Sequence, residues 1–302
     1  MSERHERTRY EHILPALPDI AGSRQKLLGV ISGSPDITFI RTGGNIGDHL
    51  IHAGTRQLLA GIQYDETRVR RRRKDRAEEA RRPKGFERLL GSPFSKRAGG
   101  RKEVVIEGLD GAGGHTALVT GGGGWCRPFH GMWPAVLPLV EERFERVIVL
   151  PSSVDTSVGV VREVLAGTKA LVFARERESY RQLRELCKTD IAHDCAFFFD
   201  FEPYRSSGEG LLRAYRTDAE STSGGQVPPD NDDISVSCDN LDEWLWRIAR
   251  HEVVETDRAH VTIAAAMLGK KVRYRPTNYH KVPAIVEYAL EGFPVERLTP
   301  GG

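Results

Sequence analysis

Several short stretches of this sequence place anion-binding or titratable groups where an apolar run gives way to the next element. Gly43, Gly44, Asn45, Ile46, Gly47 and Asp48 follow Ile37-Thr38-Phe39-Ile40 and open a stretch with helical spacing. Backbone amides and the positive end of a helix dipole favour an anion at such a junction. The run is not a GxGxxG, and the needs of a strand-to-helix turn account for its glycines equally well. Asp48 sets a carboxylate on the same rim, suited to accepting a proton from a hydroxyl and equally suited to capping a helix. Gly121, Gly122, Gly123 and Gly124 follow Ala117-Leu118-Val119, and would expose backbone at the carboxyl end of a strand, where α/β sheets bind ligands. A flexible turn is the alternative, at a cost in conformational entropy that grows with each glycine. Trp125, just beyond, could stack on a ligand ring or simply pack.

Arg175-Glu176-Arg177-Glu178-Ser179 comes directly after the apolar run Ala170-Leu171-Val172-Phe173. Its guanidinium groups suit bidentate binding of carboxylate or phosphate, although a surface Arg–Glu ladder has the same composition. Thr256-Asp257-Arg258-Ala259-His260 follows another apolar run and leads into the small-residue stretch 261–268, bringing a cation and an imidazole into one turn. His260 there can hydrogen-bond an anion or act as an acid or base. Lys281, after Asn278-Tyr279-His280, offers a further positive charge or is an ordinary exposed lysine. His49 and His52 lie three apart, but a metal site needs a third ligand and none is in view.

Elements that would position these groups are legible as β–α alternation. Apolar runs at Ile37-Thr38-Phe39-Ile40, Val104-Val105-Ile106, Ala117-Leu118-Val119, Val147-Ile148-Val149-Leu150, Ala170-Leu171-Val172-Phe173 and Ala196-Phe197-Phe198-Phe199 read as strands buried on both faces. Helical stretches at 48–60, 133–144, 158–165 and 179–187 lie between several of them, which predicts a parallel sheet in a Rossmann-like first domain, residues 1–204. Residues 204–233 turn rich in Gly, Ser, Pro and Asp and read as a hinge or exposed loop. A smaller α/β domain, 205–302, then holds the apolar stretch Ile234-Ser235-Val236, strands at 252–255 and 272–274, and helices at 241–249, 261–268 and 282–290. Its size suggests a reduced second unit.

At 302 residues the chain has room for two units, and 39% hydrophobic with 28% charged residues is an ordinary globular balance. Charge is uneven. Residues 68–102 carry 15 Lys or Arg against four Asp or Glu, a net +11, which leaves −9 elsewhere in a chain of net +2. Such a block reads as a solvated surface segment or as a dock for an anionic acceptor. No recognised nucleic-acid module accompanies it, so nucleic acid is not an expected partner. Cys126, Cys187, Cys195 and Cys238 show no CxxC spacing and read as reduced thiols. No apolar stretch approaches membrane-spanning length and the polar opening lacks a signal-peptide core, which points to a cytoplasmic protein, either free or peripheral to the inner face of the membrane.

In order along the chain, Gly44-Asn45-Ile46-Gly47-Asp48, the glycines 121–124, Leu150-Pro151-Ser152-Ser153, Arg175-Glu176 with Ser179, Asp194-Cys195-Ala196-Phe197, and Thr256-Asp257-Arg258-Ala259-His260 with a lysine before the last helix resemble the polysaccharide pyruvyl transferase family. The resemblance implies two Rossmann-like domains in a GT-B-like arrangement, with phosphoenolpyruvate held between them as donor. It also implies a sugar or glycan acceptor, which a carrier at the membrane surface could present, and no cofactor. It matches Arg175 to the arginine after the strand, and Arg258 and His260 to the pair that handles the donor's anionic groups. Asn45, Gly47 and Asp48 match the N-terminal motif at the cleft. His260, Arg175 and Asp48 are thus the expected catalytic groups. Arg258, Asn45, Gly47, Gly122, Gly123, Gly124 and Lys281 are the expected substrate-binding ones. The basic segment, the extension at 208–233 and the short second domain depart from the family pattern. A nucleotide-sugar-dependent GT-B-like glycosyltransferase or epimerase would use the same glycine turns and cations, and a non-catalytic glycan-binding relative would retain them without turnover.

Overall fold

A computed structural model describes residues 18–73, 104–127, 129, 131–221 and 226–298. The basic segment from residue 74 onward and the glycine-rich positions 222–225 lie outside the described residues. The fold is mixed α/β with mostly parallel sheets.

The first sheet is built from β1 (Ile37–Arg41), β2 (Asp65–Arg68), β5 (Gly114–Val119), β6 (Gly122–Trp125), β7 (Phe144–Val154), β8 (Leu171–Ala174) and β9 (Thr189–Ile191), in the order β2-β1-β5-β7-β8-β9. Every pairing in it is parallel, and β6 continues beyond β5 along the far half of the eleven-residue β7. The connecting helices are α1 (Pro18–Ile31), α2 (Ile46–Leu58), α3 (Trp133–Glu141), α4 (Gly159–Gly167) and α5 (Arg177–Leu183). Burial on both faces explains why the central strands read as unbroken Val, Ile and Leu runs. The second sheet, also parallel, runs β10 (Leu211–Ala214), β11 (Val253–Thr256), β12 (Lys271–Tyr274), β13 (Val295–Arg297) in chain order. Around it lie a single turn α6 (Ile234–Ser237) and helices α7 (Leu241–Ala249), α8 (Ala259–Met267) and α9 (Lys281–Ala289). Among the described residues, no helix is long and apolar enough to cross a membrane.

Four expectations from sequence are corrected. The stretch Val104-Val105-Ile106 does not enter the parallel sheet: β4 (Val104–Glu107) pairs antiparallel with β3 (Arg70–Arg73) in a separate ribbon. Cys195–Phe198 is a 3-10 turn rather than a strand, because the Asp194 carboxylate accepts the Ala196 N–H at 2.8 Å and starts a helical turn, a choice that a short apolar run cannot reveal. The four glycines are not a loop, since β6 includes three of them, and Trp125 is buried in the core rather than free to stack on a ligand. The region 204–233 is not merely a hinge. It contains β10, whose Leu211-Leu212 run is too short to stand out among Gly, Ser and Asp but completes the second sheet.

Helix α2 belongs to two cores. Ile51 and Leu58 pack with Leu27 of α1 and with Phe39 and Leu118 of the first sheet, while Ile46 and Leu50 pack with Ala196, Phe197, Val261 and Ala265 beside the second. Its middle must approach backbone closely, because a Cβ built on Gly54 would lie 1.9 Å from the Cys195 carbonyl oxygen. Gly54→Ala therefore cannot be accommodated by rotating a neighbouring side chain. It is expected to lower stability in urea unfolding by roughly 1–3 kcal/mol, whereas Gly22→Ala, an exposed helical position with open space around it, is expected to raise stability by about 0.5–1 kcal/mol.

Candidate functional site

A cavity of about 690 Å³ opens where the carboxyl ends of strands from both sheets meet. Thr42, Gly43, Gly44, Asn45, Gly47 and Asp48 enter it after β1, Arg68 at the end of β2, Thr120 and Gly121 after β5, and Arg175 after β8. From the other sheet come Arg216, Asp218 and Glu220 after β10, Arg258 to His260 after β11, and Lys281 at the start of α9. Parallel sheets leave their ligand sites at this end, because the loops there are free of the packing that fixes the strands.

Arg175 lies at the centre, with a fully buried side chain. Its Nε donates to Ser153 Oγ at 2.8 Å and Nη1 to Asp194 Oδ2 at 2.6 Å, while His260 Nε2 stands 3.4 Å from the same Nη1. Burial alone would raise the Asp194 pKa, but the His260 ring and the Arg175 charge hold it well below the usual carboxylate range. His260 faces a carboxylate on each edge, Asp194 Oδ2 at 3.6 Å from Nε2 and Asp48 Oδ1 at 3.8 Å from Nδ1. The other oxygen of Asp48 accepts the Asn45 N–H at 3.0 Å, so this residue caps α2 and faces the imidazole at once. Positive φ at Gly44, +116°, shapes the turn that makes this possible; a Cβ there would strike the Asp48 carboxylate.

The second sheet contributes cations already paired with carboxylates. Arg258 donates to both oxygens of Asp233 at 2.6 Å and reaches Asp218 at 3.4 Å. Arg216 pairs with Asp218 at 2.7 Å and with Glu220 at 2.6 Å, and Lys281 also pairs with Glu220. Burial lowers the Lys281 pKa while Glu220 supports its charge. Behind the cavity, His280 Nε2 lies 3.3 Å from Glu176 Oε1, tying α9 to the turn after β8. Burial works against the Glu176 charge, and the His280 ring with the Ser179 donors holds its carboxyl below the usual range.

Of the residues singled out from sequence, Asn45, Gly47, Asp48, Gly123, Gly124, Arg175, Arg258, His260 and Lys281 line this one cavity. Gly122 does not: its Cα faces Ile51 Cδ1, and Gly121 takes its place on the lining. His52 also lines it, with its pKa pushed down to about 3 by burial, and its ring stacks against His49. No group of three His, Cys, Asp or Glu is placed to hold a metal ion among the described residues. Sequence reasoning passed over Arg216, Asp218, Glu220 and Asp233, all in the stretch read as a hinge, and it gave no role to Ser153 and Asp194, which it named only within the family motifs. The missed signal is an echo: Leu211-Leu212-Arg213-Ala214 followed by Arg216 and Asp218 parallels Val253 to Thr256 followed by Asp257 and Arg258.

Asp257, next to the cavity residue Arg258, contributes a pH dependence of stability. Burial raises its pKa to about 6, against the Arg216 N–H, which donates to Oδ1 at 2.8 Å, and the Arg216 and Arg258 charges. A carboxyl with a raised folded pKa incurs no penalty below its unfolded pKa near 4, and the full penalty once pH exceeds about 6. Asp257→Asn, which keeps an acceptor for that N–H, is expected to raise stability at pH 7.5 by roughly 2–3 kcal/mol and to match wild type at pH 4, as read by melting temperature across pH.

Comparison with known proteins agrees with this picture. A solved structure of a functionally uncharacterised protein from Klebsiella pneumoniae shares the fold, with a TM-score of 0.67 at 21% identity over 93% of this chain and 99% of that one. No curated protein matches the sequence. The family model for polysaccharide pyruvyl transferase matches residues 45–277, a span that runs from the N-cap of α2 past β12 and takes in the cavity residues from Asn45 to His260. The chain belongs to the polysaccharide pyruvyl transferase family.

Proposed function

We propose that this protein transfers the pyruvyl group of phosphoenolpyruvate to hydroxyls of a sugar in a glycan or glycan precursor, releasing phosphate and using no metal or organic cofactor. In this reading residues 1–204 and 205–302 are two Rossmann-like units in a GT-B-like arrangement, with the donor between them. The two sheets fall on either side of that boundary, which supports the division.

The observation that carries the reading is an unfinished guanidinium. Arg175 Nη2 is shielded from solvent and finds no hydrogen-bond partner among the described residues. The Tyr279 hydroxyl is likewise shielded, and apart from the weakly accepting Cys126 sulfur it has no hydrogen-bond partner among the described residues, while the Cys126 thiol directs its own donor to the Gly123 carbonyl at 3.0 Å. Both groups border Gly123, each 3.4 Å from where its Cβ would stand. Buried donors without acceptors cost about 1–3 kcal/mol each, and a cation costs more, so proteins seldom retain them without a ligand to complete them. An anion with carboxylate and phosphate oxygens supplies such acceptors.

Ketal formation needs a proton on the donor's methylene carbon, attack of one sugar hydroxyl on the central carbon, departure of phosphate with the C–O electron pair, and attack of a second hydroxyl. The two hydroxyl protons balance the one gained by the methyl group and the one gained by hydrogen phosphate. Arg175, with Arg258 and Lys281, stabilises the leaving phosphate and the carboxylate. His260, between two carboxylates, delivers or relays the proton, and Asp48 takes one from the acceptor hydroxyl.

Phosphate release from phosphoenolpyruvate that depends on a sugar acceptor, with pyruvate found in the product, is the expected result. A thermal shift with a nucleotide sugar but none with phosphoenolpyruvate would instead indicate the glycosyltransferase-like chemistry. Arg175→Lys keeps the charge but loses the fork, and is expected to reduce kcat/KM by roughly 100-fold or more. Tyr279→Phe removes an unsatisfied hydroxyl, so the free protein melts no lower than wild type while the phosphoenolpyruvate-induced shift shrinks; a lowered melting temperature without ligand would show that the hydroxyl is structural.

A further inference from the structure

The cations of the cavity fall into two groups. Those on its floor are neutralised by carboxylates: Arg175 by Asp194, Arg216 by Asp218 and Glu220, Arg258 by Asp233, and Lys281 by Glu220. Arg68, Arg70 and Arg71 also line the cavity, at its mouth, and none of the three has a carboxylate partner among the described residues. They are not simply extended into solvent. A Cβ on Gly43 would lie 2.8 Å from Arg68 Nη2, and one on Gly131 would lie 2.1 Å from Arg71 Nη1, so two of the guanidinium groups lie against glycine backbone. Phe129, 43% exposed, and Met132 line the same opening.

From this contrast we infer that the mouth of the cavity is a subsite for a diphosphate group on the acceptor, and that Arg68, Arg70 and Arg71 hold it while the sugar extends inward to the floor. Three arginines within four residues bring positive charge to one cavity, and their planar forks match phosphate oxygens in pairs. A diphosphate carries its charge equally compactly, whereas an acidic glycan spreads single carboxylates one sugar apart. The exposed aromatic ring and thioether beside the arginines suit whatever the diphosphate joins to the sugar, either a nucleoside or an alkyl chain. The assignment of sugar and donor to the floor rests on the pyruvyl transfer proposed above; the diphosphate subsite does not.

The test uses the full chain and a triple variant, Arg68→Gln with Arg70→Gln and Arg71→Gln, which alters exposed side chains only. Binding is measured by calorimetry with a water-soluble short-chain alkyl diphosphosugar, a nucleoside diphosphosugar and the corresponding free sugar, and thermal shift by phosphoenolpyruvate is measured in parallel. The expected result is that at least one diphosphosugar binds ten-fold or more tighter than the free sugar and loses that advantage in the variant, and that its binding weakens with added salt while the phosphoenolpyruvate shift is unchanged. Which of the two diphosphosugars binds identifies a lipid-carried or a nucleotide-linked acceptor. Equal affinity for free and diphosphate-bearing sugar, or a variant that binds both diphosphosugars as wild type does, overturns the subsite. Diphosphosugar binding that is lost in the variant, with no acceptor-dependent phosphate release from phosphoenolpyruvate, upholds the subsite and overturns the pyruvyl transfer reading.

Discussion

The buried ion pair between Arg175 and Asp194 is the contact around which the rest of this molecule is arranged. A charge with no exposure depends on its ion partner and hydrogen bonds, and removing either member of such a pair costs about 3–5 kcal/mol. Meeting that requirement draws separate parts of the chain together. Ser153, in the C-terminal part of β7, accepts from Arg175 Nε; Asp194 is fixed by starting the 3-10 turn with its other oxygen; and that turn sits against α2 at Gly54. His260, from the second sheet, completes the group against the same Nη1. One guanidinium nitrogen, Nη2, is shielded from solvent and has no hydrogen-bond partner among the described residues, so the compensation of this buried charge is incomplete.

Charge in the cavity follows from where the elements end. Strand β10 brings Arg216, Asp218 and Glu220 to the same level as Arg258 from β11, so the cations on that side arrive with their carboxylates. The floor is therefore polar and preorganised without a large net field, which favours orientation of a bound group over simple attraction. Attraction is left to the mouth, where the opening of the basic segment reaches the cavity lining with its guanidinium groups uncompensated among the described residues.

Helix α2 links packing to chemistry. It is packed by Ile51 and Leu58 on one side and by Ile46 and Leu50 on the other, so its first turn cannot move independently of either sheet. Its N-cap is the Asn45–Asp48 pair, and Asp48 faces His260 with the oxygen that the cap does not use. Local helix capping and the placement of a carboxylate beside the imidazole are one structural fact.

Sequence by itself determined the β–α alternation, because strands buried on both faces need unbroken Val, Ile and Leu runs, and it determined which turns line the cavity, because Gly44, Arg175 and Arg258 all stand just past such runs. It also carried the family, through an ordered set of short motifs. Tertiary structure alone decided the rest. Residues 211–214 form a strand only because β11 is there to pair with them, and Ala196 to Phe198 form a turn only because Asp194 caps it and Gly54 leaves space. Val104 to Ile106 found an arginine-rich partner instead of the main sheet, since an apolar run specifies a strand but not its neighbour. The pairing of Arg175 with Asp194, and of Arg216, Arg258 and Lys281 with acids from a stretch that reads as loop, joins residues far apart in the chain, and long-range electrostatic complementarity has no periodicity that a linear pattern can display.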